Sequence, residues 1–147
     1  MISLKEITSD EILKECIELE VAYNQKELVD SNAASLALAW LHKDFVRPLC
    51  IFNNDTMIGF VMLYCEENEK SCEIWQFMLD VKFQGKGYGK AALKVILEYI
   101  KADSAFEEII VATFPENKVA IKLYENCGFV MTDEILDDGE VVMEFIT

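Results

Sequence analysis

Histidine is nearly absent from this 147-residue sequence, which contains only His42. Its five cysteines include no CxxC pair, so the usual ligands of a zinc site are missing and we expect no metal. An odd number of cysteines also argues against a disulfide framework. Cys65 and Cys72 could meet across a hairpin, but the pattern favours buried free thiols in a reducing compartment.

Basic residues are also scarce: 13 Lys and Arg stand against 27 Asp and Glu, giving a formal net charge of −14. Such a charge repels phosphate backbones and anionic lipid headgroups, so we expect neither nucleic-acid nor membrane binding. It would attract protonated amines. The alternative is that the acidity only aids solubility.

Long apolar runs are missing as well, which argues against a membrane span. The opening residues, MISLKEITSDE, lack the basic and apolar regions of a secretory signal, so we expect a cytoplasmic protein. With 52% hydrophobic residues and no linker or repeat, residues 1–147 are predicted to form one packed domain.

The spacing of apolar residues predicts an alternation of strands and helices. Strands are expected at residues 2–7, 49–52, 57–65, 72–81, 108–114, 129–136 and 141–146, and helices at about 9–19, 33–41, 90–101 and 117–126. The predicted fold class is α/β (α+β). One mixed, mostly antiparallel sheet would contain a parallel central strand pair and carry helices on both faces.

A glycine-rich turn between a strand and a helix is the strongest local signal. It reads Gln84-Gly85-Lys86-Gly87-Tyr88-Gly89-Lys90. Glycines let successive N–H groups converge on an anion, and the following helix adds its positive end, so the turn suits a phosphate or pyrophosphate. Its spacing matches neither a Walker loop nor the dinucleotide fingerprint. A turn that only joins strand to helix is the alternative.

Two ordered motifs identify a family. The pattern Gln84-x-x-Gly87-x-Gly89 resembles the Q/R-x-x-G-x-G/A signature of the GNAT (GCN5-related N-acetyltransferase) superfamily. The later pattern resembles that superfamily's second motif and reads Asn117-x-x-Ala120-x-x-Leu123-Tyr124-x-x-Cys127-Gly128-Phe129. Together the motifs lie in the second half of the chain.

This resemblance implies that acetyl-CoA binds in a V between two splayed central parallel strands. Its pyrophosphate would lie on residues 84–90, and its pantetheine arm along the main chain of Leu79 and Val81. Asn117 and the helix after it would line the opposite side. The superfamily often forms dimers, so a homodimer is compatible with the resemblance.

Finer details are similar to the bacterial spermine/spermidine acetyltransferases, which usually carry Arg at the position of Gln76. Residues 25–37, with Asn32, Ser35 and Leu36, also resemble the acceptor-side helix region of those enzymes. The residues expected to bind the acceptor are Glu27, Asp30, Trp75 and Gln76. Further acidic residues expected on the acceptor side are Glu66, Glu67, Glu69 and Glu73.

Acetyl transfer to an amine requires a neutral amine and a proton for the departing thiolate. Tyr124 is the expected proton donor, because the superfamily often places a tyrosine there; the alternative is a core aromatic residue. Glu73 is a candidate base, or else an exposed charge at a strand end. A covalent route through Cys127 is disfavoured because no histidine accompanies it.

The predicted function is therefore direct transfer of the acetyl group of acetyl-CoA to a primary amine in a ternary complex, with a small polyamine such as spermidine or spermine as acceptor. Two alternatives stay open. One is a different amine: a peptide N-terminus, a lysine or an aminoglycoside. The other is a non-catalytic CoA-binding domain, since fold does not fix function.

Overall fold

The computed structural model describes residues 1–146 and contains one seven-stranded sheet in the order β1-β2-β3-β4-β5-β7-β6. Its strands are β1 (Ile2–Glu6), β2 (Val46–Asn53), β3 (Thr56–Glu66), β4 (Ser71–Leu79), β5 (Glu108–Thr113), β6 (Phe129–Ile135) and β7 (Val141–Phe145). Its helices are α1 (Asp10–Glu18), α2 (Asn32–Leu41), α3 (Tyr88–Lys101) and α4 (Lys118–Asn126). Short 3-10 turns occupy Tyr23–Gln25 and Val81–Phe83.

The sheet separates two hydrophobic cores. One core packs α3 and α4 against the sheet, and its helical residues are Ala92, Leu93, Ile96, Leu97, Ile100 and Tyr124. The other packs α1, through Cys16, and α2, through Ala39, against the opposite face. Helices therefore cover both faces, and every strand pair except β4–β5 is antiparallel. The predicted fold class is confirmed.

The two central parallel strands separate at one end. Residues Ser71–Ile74 of β4 pair with Glu108–Val111 of β5, and the pairing stops there. On its opposite edge, β5 pairs with β7 from Ile110 to Thr113. The second half of β4 therefore borders a gap on that side, and this gap is the predicted V between the central strands.

A β-bulge interrupts β4 at Trp75. On β3, Met62 lies opposite Gln76 and the next residue, Leu63, lies opposite Ile74, so Trp75 has no partner. An extra residue reverses the alternation of side chains along a strand. The α3 side of β4 consequently carries Cys72 and Ile74 before the bulge, then Phe77 and Leu79 after it.

Two strand boundaries differ from the sequence prediction by more than one residue. Strand β2 begins at Val46 rather than Leu49. Pro48, which has no N–H to donate, fits inside this strand because it pairs only with β3 and β1 does not extend to its position. Strand β4 ends at Leu79 rather than Val81. There Asp80 turns the chain, and its carboxylate accepts the N–H of Lys82 at 3.0 Å. Within residues 1–146, no helix has the length and apolarity needed to cross a membrane.

Candidate active site

The glycine turn is open on the side that faces the gap. Gly85 and Gly87 have φ of 74° and 85°, a left-handed conformation that favours glycine. A Cβ built on either residue would find no atom within 4 Å. Gly87 is also the N-cap of α3, so the positive end of that helix lies at the turn. This open cradle at a helix start fits the pyrophosphate of coenzyme A.

Gln84 holds the turn against its surroundings. Its side-chain Nε2 donates to the carbonyl oxygen of Leu79 at 2.9 Å and to Oε1 of Gln25 at 3.0 Å. Oε1 of Gln25 also accepts the N–H of Ala22 at 3.2 Å. The first signature residue thus ties the glycine turn to β4 and to the segment that follows α1.

A cleft of about 390 Å³ opens beside the turn. The expected residues that line it are Leu79, Gln84, Gly85, Gly87, Gly89, Lys90, Asn117 and Tyr124. Three expected cofactor residues lie outside this lining. Lys86 is exposed, Tyr88 packs its ring on Phe83 and accepts a hydrogen bond from Asn53, and Val81 leaves the strand.

The backbone available for an added strand lies two residues earlier than the sequence suggested. Asp80 donates its N–H to Ile58 on β3, so by alternation the polar groups of Leu79 and Phe77 point to the gap. The N–H of Val81 already donates to the carbonyl oxygen of Glu20 at 2.7 Å. The backbone groups of Phe77 and the N–H of Leu79, rather than the backbone of Leu79 and Val81, therefore face the cleft, because the carbonyl oxygen of Leu79 already accepts a hydrogen bond from Gln84.

An acidic cavity of about 490 Å³ adjoins this cleft, with Val29 lining both. We call it the acceptor cavity. It brings together the candidate base, Glu73, and four of the residues expected on the acceptor side: Glu27, Asp30, Trp75 and Gln76. Among residues 1–146, no basic residue lines it. The amide Nε2 of Gln76 donates to the carbonyl oxygen of Asp30 at 2.8 Å, which fastens the loop before α2 onto β4.

Some of the acidic residues expected on the acceptor side lie elsewhere in the structure. Glu66, Glu67 and Glu69 line a different cavity, beside Arg47, and do not join the acceptor cavity. In their place the turn between β6 and β7 contributes Asp138 and Glu140. The acidity of residues 137–140 was the available signal, but the sequence did not show that β7 returns beside β5.

Burial perturbs two carboxyl groups in the acceptor cavity. Desolvation, with a smaller effect of the negative charge on Glu134, raises the pKa of Glu73 to about 7. Desolvation and the neighbouring Asp138, Glu73 and Asp30 raise the pKa of Glu140 to about 7. A carboxyl group with a pKa near neutrality is suited to exchange protons at physiological pH.

Tyr124 lies on α4 at the wall of the coenzyme cleft and is 5% exposed. Its ring packs edge-on against Phe129 at 5.5 Å between centroids. Burial, reinforced by the charge of Glu140, raises the pKa of its phenol, so the hydroxyl stays protonated near neutral pH.

Comparison with known proteins agrees with this geometry. Residues 11–129 match the Acetyltransferase (GNAT) family. The chain is 30% identical to the spermine/spermidine N(1)-acetyltransferase of Bacillus subtilis (strain 168), over 97% of this chain and 96% of that protein.

Solved structures show the same fold. The aminoglycoside acetyltransferase AAC(6')-Ib, bound to ribostamycin and coenzyme A, superposes with a TM-score of 0.81 at 21% identity, covering 98% of this chain and 92% of that one. The spermidine N-acetyltransferase of Vibrio cholerae, bound to CoA and spermine, gives 0.76 at 21% identity, covering 97% and 92%.

The family match covers most of the chain, and a glycine cradle opens on a cleft between splayed parallel strands. Acetyl-CoA is the co-substrate that such a site takes. The protein belongs to the GNAT family and is an acetyl-CoA-dependent N-acetyltransferase.

Proposed function

We propose that this enzyme acetylates a primary amine of a small polyamine such as spermidine or spermine. The observation that carries the proposal is the acceptor cavity. In the described part of the chain, five carboxylate residues and no basic residue line it, and it shares a wall with the coenzyme cleft. A polyamine carries several ammonium groups on an apolar chain. Carboxylates can hold the distal charges while one terminal amine reaches the cleft.

Glu73 is the proposed base. It lies on β4, directly before the point where β4 and β5 separate, and it lines the acceptor cavity. Its raised pKa of about 7 makes it a better proton acceptor than an ordinary carboxylate while leaving it largely ionised above neutrality. In this role a carboxylate oxygen of Glu73 takes one proton from the bound ammonium and leaves a neutral, nucleophilic amine.

Tyr124 is the proposed acid. Acetyl-CoA, when bound, supplies an acetyl thioester whose sulfur departs as a thiolate. The phenol of Tyr124 stays protonated because burial raises its pKa, and it lines the cleft in which this sulfur would lie. It would donate its hydroxyl proton there, as general acids do.

Transfer is proposed to be direct, with both substrates bound together. The two cavities adjoin at Val29, so an amine in one can meet a thioester in the other. A route through a covalent acetyl-enzyme intermediate on Cys127 has less support. That thiol follows the last turn of α4 and is only partly exposed, and burial raises its pKa, so it is a poor nucleophile. The backbone of Phe77 and Leu79, the glycine turn and Asn117 are proposed to hold the coenzyme.

A panel of amines measured by acetyl-CoA consumption tests this function. Spermidine and spermine should give the highest kcat/KM, and that value should fall as salt rises, because screening acts over about 8–10 Å at ordinary ionic strength. A monoamine with a neutral body should be poorer and less sensitive to salt. Preference for a peptide or an aminoglycoside over every polyamine would refute the acceptor assignment.

A further inference from the structure

Cys65 and Cys72 form a close pair on β3 and β4, outside both cavities of the proposed reaction. They lie directly opposite each other, and their sulfur atoms are 3.0 Å apart. The N–H of Cys65 donates to the carbonyl oxygen of Phe45, away from β4. The two cysteines therefore occupy a non-hydrogen-bonded pair, in which side chains of antiparallel strands lie closest, with Cα atoms about 4.5 Å apart.

This position meets the geometric demands of a disulfide. Disulfides require Cα separations of about 4.4–6.8 Å, which the register provides, and an S–S bond of about 2.05 Å. The sulfur atoms need to approach by only about 1 Å to reach that length. The bond could form with no change of strand register.

The environment makes Cys65 the more reactive partner. The two thiols share a hydrogen bond, and this bond together with the nearby Arg47 guanidinium lowers the pKa of Cys65, whereas the pKa of Cys72 is raised. Cys65 also lines a surface cavity of about 580 Å³ whose other residues include Arg47 and Lys43. Cys72 is fully buried. A small oxidant in that cavity would meet Cys65 first.

We propose that Cys65 and Cys72 are a peroxide-oxidisable dithiol that closes to an intramolecular disulfide. The Cys65 thiolate attacks one oxygen of hydrogen peroxide, the O–O bond breaks, and the departing hydroxide takes a proton to become water. Cys72 then attacks the sulfur of the Cys65 sulfenic acid, the S–O bond breaks, and the second oxygen leaves as water with the Cys72 proton. Two thiols are oxidised, and one peroxide is reduced to two waters.

Peptide mapping tests the pair directly. The folded protein is treated with hydrogen peroxide, its remaining thiols are alkylated, and it is digested with trypsin. Cleavage after Lys43, Lys70 and Lys82 places Cys65 and Cys72 on different peptides. A linked peptide should appear, lighter by two hydrogen atoms than the sum of its parts, with fragments that locate the bond between Cys65 and Cys72. In Cys72→Ser, a dimedone adduct on Cys65 should replace the link.

Cys50→Ser is the matched control, because Cys50 is also buried and shares the tryptic peptide of Cys65. The disulfide-linked peptide should still form in Cys50→Ser, and it should be absent from Cys65→Ser. The proposal is overturned if wild-type protein leaves Cys65 and Cys72 reduced while Cys127 is oxidised, or if the link survives in Cys65→Ser. The wild-type result decides even if a serine variant fails to fold.

Discussion

Gln84 and Leu79 are joined by a hydrogen bond in which the side-chain Nε2 of Gln84 donates to the carbonyl oxygen of Leu79 across 2.9 Å. The same nitrogen donates to Oε1 of Gln25. The glycine turn and the end of β4 both line the coenzyme cleft. This amide therefore holds the glycine turn against the end of β4 before the coenzyme arrives.

Gln84→Glu tests that function. A carboxylate at this position would face two oxygens that now accept hydrogen bonds, at a cost of about 1–3 kcal/mol. If the lost hydrogen bonds destabilise the conformation of the glycine turn, the Kd for acetyl-CoA should rise about tenfold to a hundredfold, as measured by calorimetry. Gln76→Glu is the control, because Gln76 lines the acceptor cavity and not the cleft. Equal coenzyme affinity in Gln84→Glu and wild type would contradict the role of Gln84.

The sequence identified the coenzyme cradle more completely than the acceptor cavity, for a physical reason. The cradle is local: Gln84, Gly85 and Gly87 are neighbours in the chain, and glycine conformation together with the start of a helix defines the turn. The acceptor cavity is assembled from residues far apart in the chain, such as Asp30, Glu73 and Glu140. Which acidic residues meet there depends on strand pairing that local patterns do not specify.

The bulge at Trp75 illustrates the same limit. Strict alternation along β4 would place Ile74 and Gln76 on one face, yet the bulge lets Phe77 follow Ile74 into the core beneath α3. Periodicity predicted the strand correctly, and the overall fold with it. The face of the sheet on which each side chain of its second half lies depends on one unpaired residue, because a bulge reverses the side-chain alternation beyond it.

Glu73→Gln tests the proposed base. Wild-type kcat/KM should rise with pH and level off above about 7, since a base must be unprotonated and the pKa of Glu73 is raised to about 7. The variant should lose about 10²–10⁴ in rate and also lose this pH-dependent limb. Glu134→Gln removes a neighbouring negative charge, so it should keep turnover and move the limb to lower pH. A Glu73→Gln enzyme with the wild-type profile would exclude the base.

Glu140→Gln tests the cost of burying charge in the acceptor cavity. The pKa of Glu140 is raised from 4.5 to about 7, so between these values the folded state binds a proton that the unfolded state does not. Its contribution to stability therefore falls as pH rises through this window. The Tm of the variant, relative to that of wild type, should therefore increase from pH 4.5 to pH 7. Exposed Glu116→Gln is the control for loss of charge, and a parallel trend in both variants would contradict the prediction.

Tyr124→Phe keeps the ring that packs on Phe129 and removes only the acid. Turnover on the best amine should fall about 10²–10⁴-fold, as is typical for loss of a general acid. The KM for acetyl-CoA should change little, since the cradle is intact. Tyr99→Phe, on the outer side of α3, should retain wild-type turnover. Full turnover by Tyr124→Phe would show that another group protonates the thiolate.

The central claim is that the acceptor cavity, and not the acidity of the whole surface, recognises a cationic amine. The most direct measurement is kcat/KM for spermidine at low salt in the double variant Asp30→Asn, Asp138→Asn. Two lost charges at about 0.7 kcal/mol each should lower kcat/KM about tenfold, with the KM for acetyl-CoA unchanged. The variant Asp44→Asn, Asp55→Asn removes the same net charge outside the cavity and should stay close to wild type. Equal losses in the two double variants, or no loss in the first, would contradict the account.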